Sequence, residues 1–225
     1  MKKLMQSPRP AVRLAAESIE PEYFDLRATQ PTTWLSKATE LRRAAQLVAN
    51  GIAGDLAATR AAHEGQHVTQ KPPALDGVWF HLLATMLENV FKGLLVARSK
   101  SWTQEPRKKG HLDKALKGHD LVKLAERASL ALSDEERAFA DLASNATISW
   151  GRYPVSVTHH ELRLGLTYKH AAVEQIAERL YARAGAALIA ELRACGWTFK
   201  HGNEELIGDA TARYMLYGDP PPSAH

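Results

Sequence analysis

The chain has 225 residues, 45% hydrophobic and 24% charged, a length and composition that suit one sizeable core in a soluble globule. Its formal charge of +4 is too weak to demand a nucleic-acid partner, and its single cysteine, Cys195, excludes an internal disulfide framework. The opening MKKLMQSPRP carries two lysines with no apolar stretch behind them, and no apolar run reaches bilayer-spanning length, so the expectation is a cytoplasmic protein with no membrane partner.

Residues 1–30 show no clear periodicity and read as an N-terminal arm. From Thr33 the pattern turns helical, with Trp34, Ala38, Leu41, Ala45 and Val48 at three- and four-residue steps. Asn50-Gly51 is expected to close that helix, with a weaker one from Ile52 toward His63, and Lys71-Pro72-Pro73 is a firm break. Next comes the most apolar helix, about Asp76 to Ala97. Trp79, Leu83, Met86, Val90 and Leu94 form one stripe, and Leu82, Leu87, Phe91 and Leu95 widen it until a central position is expected. Its apolar breadth, with that of the long helix near the C-terminus, predicts a two-fold contact that completes the burial.

The stretch 98–117 reads as a polar connection. From Arg98 to Lys123 stand eight basic residues (Arg98, Lys100, Arg107, Lys108, Lys109, Lys114, Lys117, Lys123) against Glu105, Asp113 and Asp120, a local net of +5. Such a stripe would draw polyphosphate, or would simply be a solvated face. A short helix is expected near 118–128, and Ser133 with Glu136 forms a capping box for a helix that turns Phe139 and Leu142 inward. Thr158 with Glu161 is a second candidate box. The longest helix should cover about His170 to Ala194, facing in with Val173, Ile176, Leu180, Ala184, Ala187 and Leu188 or Ile189, and stopping at Gly196. Residues 201–225 are expected to form a small helix and a tail, leaving 31–200 as one all-α domain.

Three constellations carry chemistry. HEGQH, His63 to His67, is an H-E-x-x-H string: His63 and His67 on one helix face could hold zinc with Glu64 as base and Glu88 as a third ligand. Its context is poor, because Gly65 interrupts the motif and the prolines at 72–73 end any helix, so no metal or other cofactor is expected. Glu88 and Lys92 stand four apart on the apolar helix, in the acid-first order that favours an intrahelical pair. In WGRYPVSVTHH, Trp150 to His160, Arg152 precedes His159 by the interval also seen for Arg60 with His67 and Arg163 with His170. Position separates it: Arg152 lies between two helices, and a cap at Thr158 would put His159 in a first turn, where the helix end favours a phosphate. The alternative for WGRYP is an aromatic–proline plug. For His119 and Asp120 it is an Asx-type helix start with His119 bonded to a backbone carbonyl.

Taken in order, HLLATMLENVFKGLLVA with its Glu88-x-x-x-Lys92 pair, KGHDLVKL at Lys117 to Leu124 and WGRYP at Trp150 to Pro154 resemble segments of HEPN domains, over about residues 76–190. The resemblance implies an antiparallel helical bundle, here with an N-terminal helical extension, that is commonly a two-fold dimer. Many members are metal-independent endoribonucleases of toxin–antitoxin or defence systems; others bind nucleotides, serve as partners of nucleotidyltransferases, or have no known activity, so an antitoxin or a nucleotidyltransferase is the partner expected here. It places Arg152 and His159 as the catalytic pair, with Glu88, Lys92, His119, Asp120 and Tyr153 toward RNA or nucleotide. Active ribonuclease members usually have a polar residue straight after the arginine; Tyr153 and Pro154 stand there in this chain, as in the non-nuclease branch. Three functions therefore stay in view: an RNA- or nucleotide-directed protein, a non-catalytic dimeric interaction module, and a zinc peptidase.

Overall fold

The computed structural model describes residues 21–63, 75–99, 110–148 and 169–196. Among them lie six α-helices: α1 Pro21–Thr29, α2 Pro31–His63, α3 Asp76–Arg98, α4 Leu121–Arg127, α5 Asp134–Ile148 and α6 His170–Ala194, with one 3-10 turn at Lys114–Leu116 before α4. No strand occurs among the described residues. The chain is an all-α bundle.

α3 is the central helix, packed against α2, α4, α5 and α6. Its buried set includes Trp79, Phe80, Leu83, Met86, Leu87, Val90, Phe91 and Leu94, on nearly every side of the cylinder, while Leu82 is half-buried. By length and hydropathy α3 could cross a bilayer, contrary to the expectation that no run is apolar enough, but 72% of its most apolar window is buried inside the bundle. The predicted two-fold contact rests on apolar faces left uncovered by a single chain. The chain's own helices already cover α3, so that argument for a dimer loses its premise.

Contacts fix the helix directions. Gly51 of α2 faces Leu75 just before α3, and Trp34 near the start of α2 meets Gly93 near the end of α3, so α2 and α3 are antiparallel. Thr39 and Arg42 of α2 reach Tyr181 and Glu178 of α6 in the same opposed sense. α3 and α6 consequently run parallel, with His170 beside Asp76 at one end and Glu191 beside Arg98 at the other. Gly93 is where this packing is closest: a Cβ there would stand 3.1 Å from Trp34 Cβ, 3.2 Å from Leu188 Cδ2 and 3.3 Å from the Pro31 carbonyl.

Several ends follow the local sequence. Ser133 and Glu136 form the expected box, each accepting from the other's backbone amide, and Glu136 also accepts from Arg183 of α6 at 2.9 Å. α6 has the expected bounds, and Gly196 (φ 85) stops it in the left-handed region. α4 ends in a Schellman arrangement with Ser129 (φ 52) in the position usually held by glycine.

Two expectations fail. Pro21–Thr29, inside the supposed arm, is helix α1. Asn50-Gly51 does not close a helix, since α2 runs unbroken through it to His63. An interior glycine costs about 1 kcal/mol relative to alanine, and burial of Ala45 and Ile52 on either side of the pair outweighs that.

Candidate functional site

A buried charge cluster sits where α3, α4 and α2 meet. Glu88 and Lys92 project from one face of α3 and are only 6% and 4% exposed. Lys92 Nζ donates to Glu88 Oε1 at 2.5 Å, and the other carboxylate oxygen, Oε2, meets His119 Nδ1 at 2.9 Å across 31 residues of sequence. The ammonium also lies 5.8 Å from the ring centroid of Trp34, a cation–π distance that adds a partner for the buried charge. A buried ion pair needs such extra partners, because desolvation takes back much of its Coulombic gain.

Local sequence explains how His119 is presented. Asp120 is the N-cap of α4: its side chain accepts from the Lys123 backbone amide at 3.0 Å and pairs with Lys123 Nζ at 2.7 Å. Although burial works to raise its pKa, the Lys123 side-chain bond, amide and charge outweigh it, and the carboxyl titrates below its usual range. Next along the chain, Leu121 N donates to Ser144 Oγ of α5 at 2.9 Å, which ties the start of α4 to α5. His119 is thereby held at the start of a helix that is tied to α5. The Asx-type start expected for Asp120 is present, but His119 bonds the Glu88 carboxylate rather than a backbone carbonyl.

The chemistry comes from the donor and acceptor inventory. An ionised carboxylate only accepts, so Nδ1 of His119 must carry the proton in that bond. In the neutral ring Nε2 then holds the lone pair, on a side chain that is 49% exposed. A buried carboxylate that fixes the tautomer of an outward-reaching imidazole is an arrangement suited to accepting or passing on a proton. Lys92 Nζ bonds the other oxygen of the same carboxylate, Oε1.

The other sequence-named residues divide. Arg152, Tyr153, His159, Glu64, His67 and the Thr158–Glu161 box lie outside the described residues, as do Lys100, Arg107, Lys108 and Lys109 of the basic stripe. Arg98 is structural: its Nε holds Glu191 at 2.8 Å and its Nη1 bonds the Ala128 and Ser129 carbonyls at the end of α4. Glu88 cannot serve as a third zinc ligand with His63. The α2–α3 register sets Glu88 level with the Ala38 region, so the end of α2 at His63 is about 25 residues away, roughly 37 Å of helix. Both oxygens of Glu88 are in any case taken by Lys92 and His119.

One polar cluster gives no sign in the sequence. Thr39 Oγ1 and the Tyr181 hydroxyl are 2.8 Å apart, Arg42 Nε bonds Glu178 at 2.8 Å, and the Arg42 guanidinium lies 5.3 Å from the Tyr181 ring centroid. Burial pushes the Tyr181 phenol above its usual 10, against the opposing pull of Thr39 and Arg42. The set joins α2 to α6 across 142 positions at Thr39–Tyr181. No local pattern could have announced it.

No family model, curated protein or solved structure matches this chain.

Proposed function

We propose that the chain is a cytoplasmic HEPN-like protein that binds or acts on RNA or nucleotides. The observation that carries this reading is the meeting of the Glu88–Lys92 pair with His119 at 2.9 Å. Two separate segments singled out by the resemblance, one on α3 and one at the mouth of α4, converge on a single buried carboxylate. In the cleavage version His159 takes the 2′-hydroxyl proton or protonates the leaving 5′-oxygen, Arg152 holds the charge that develops on the phosphoryl oxygens, and Tyr153 stacks on a base. His119 then offers Nε2 to a sugar hydroxyl or phosphate, positioned by Glu88, and Asp120 fixes the loop that carries it.

A second reading has its own support. Both Glu88 oxygens are occupied within the protein, which suits a purely structural pin between α3 and α4. The chain would then be a non-catalytic module, a homodimer holding an antitoxin or a nucleotidyltransferase. Incubation of the purified protein with a labelled single-stranded RNA separates the two. Binding that His119→Ala or Arg152→Ala abolishes without loss of fold supports the first, and absence of any RNA or nucleotide binding supports the second.

A further inference from the structure

A groove of about 440 Å³ opens beside the cluster, lined by residues of α1 and α2 together with Asn89 of α3 and Leu112. That volume lies in the range of small-molecule sites. Its walls are tied together: Trp34 Nε1 donates to the Ala28 carbonyl at 3.0 Å, and Gly110 N donates to Asp25 Oδ1 at 3.1 Å, which anchors the stretch leading to Leu112. One polar side chain in it differs from its counterparts. Ser36 is only 8% exposed, and among the described residues its hydroxyl has no hydrogen-bond partner. Buried hydroxyls are ordinarily bonded, and inside a helix a ready partner is the carbonyl one turn back. Thr39, Thr59, Thr85, Ser144 and Thr147 each bond that carbonyl. Ser36 does not, and its side chain lines the groove instead.

The remaining lining defines the ligand. Asn89 donates through Nδ2 to the Thr85 carbonyl at 2.7 Å and keeps its own side-chain carbonyl as an acceptor. The α2–α3 register sets Asn89 within about a turn of Ser36, so two polar groups stand close together in the groove. Phe24 and Trp34 supply aromatic surface. The charged side chains are engaged: Lys37 holds Glu40 at 2.8 Å, and Arg27 has an interaction of its own. An anion would therefore meet no available cation among the described residues, and a plain hydrocarbon would leave the Ser36 hydroxyl unbonded. An uncharged aromatic heterocycle suits both conditions. Its face stacks on the rings, while an N–H and a ring nitrogen on its edge meet the Asn89 carbonyl and the Ser36 hydroxyl.

We propose that this groove binds an uncharged base of the nucleobase class, its face against Phe24 and Trp34 and its polar edge toward Ser36 and Asn89, with no contact to a phosphate. The choice of a base among such heterocycles rests on the RNA- or nucleotide-directed reading above. Asn89 follows Glu88 in sequence, and the Trp34 ring is the one beside the Lys92 ammonium, so the base would lie next to the charge cluster.

Adenosine is the probe, titrated into the full chain by calorimetry and by tryptophan fluorescence. Phe24→Ala should weaken it by about tenfold through lost stacking, and Ser36→Ala by about fivefold through one lost hydrogen bond. Ser36→Ala should not lower the melting temperature, because the hydroxyl it removes bonds nothing in the free protein. Trp34→Phe, which keeps a ring, should retain binding and lose most of the fluorescence change. Adenosine 5′-monophosphate should bind no more tightly than adenosine, and inorganic phosphate should not compete. Adenosine affinity indifferent to both Phe24→Ala and Ser36→Ala overturns the proposal, as does a monophosphate that binds about tenfold tighter than the nucleoside. So does an RNA-binding protein that does not take adenosine, in which case the broader function stands. If neither RNA nor adenosine binds, the functional reading fails together with the groove.

Discussion

Glu88 Oε2 stands 2.9 Å from His119 Nδ1 while Oε1 holds Lys92 at 2.5 Å, so one buried carboxylate serves a buried cation and an outward-reaching imidazole at once. Its two neighbours should respond differently to mutation.

Glu88→Ala leaves the Lys92 ammonium buried without its carboxylate. Loss of one partner of a buried pair costs about 3–5 kcal/mol, whereas apolar replacement of both is often neutral. Denaturant unfolding should show Glu88→Ala strongly destabilised and Glu88→Met/Lys92→Met far closer to wild type. A single mutant as stable as the parent would show that the pair is solvated rather than buried.

His119 is half-exposed, and among the described residues its ring bridges α3 and α4 through the Glu88 bond. His119→Ala should change stability by no more than about 1 kcal/mol and should sharply weaken RNA or nucleotide binding. Equal affinity in mutant and parent would assign His119 to structure alone.

Acid should act at the α5–α6 contact. Burial works to raise the Glu136 pKa, but the Ser133 amide and the Arg183 bond and charge prevail, so the folded group titrates below its ordinary 4.5. A depressed folded pKa stabilises the protein above the unfolded value, and that gain is lost as pH falls through the folded pKa. Wild-type stability should therefore decline below about pH 4.5 more steeply than that of Glu136→Gln, which forgoes the gain at neutral pH. Parallel pH–stability curves would remove Glu136 from the explanation.

Two glycines should respond with opposite sign. A Cβ at Gly54 meets nothing within 4 Å on helix α2, so Gly54→Ala should stabilise, by about 0.5–1 kcal/mol. At Gly93 the new methyl strikes Trp34, Leu188 and the Pro31 carbonyl, all within 3.3 Å, so Gly93→Ala should lower the melting temperature despite the same gain in helix propensity. A stabilised Gly93→Ala would contradict the close α2–α3–α6 packing.

How much of the molecule is legible in its sequence depends on the range of the interaction. The bounds of α6 and the Ser133–Glu136 box are readable because periodicity, Gly196 and a three-residue spacing act locally. Gly51 misleads because its helix-breaking tendency is small beside the tertiary burial of Ala45 and Ile52. α1 escapes because it is short and its Phe24 faces a groove rather than a continuous stripe. Glu88 and Lys92 are visible as a pair. Their third member emerges only when α4 is set against α3, since nothing in Gly118-His119-Asp120 names a carboxylate 31 positions earlier.

The most direct test pairs RNA binding with thermal melting on Arg152→Ala and His119→Ala, measured at low and moderate salt. The RNA-directed reading requires a parent protein that binds single-stranded RNA with salt-sensitive affinity, and both mutants should lose that binding while melting within a few degrees of the parent. An Arg152→Ala protein that melts markedly lower yet binds RNA as the parent does would contradict it, and would make Trp150 to Pro154 a structural turn.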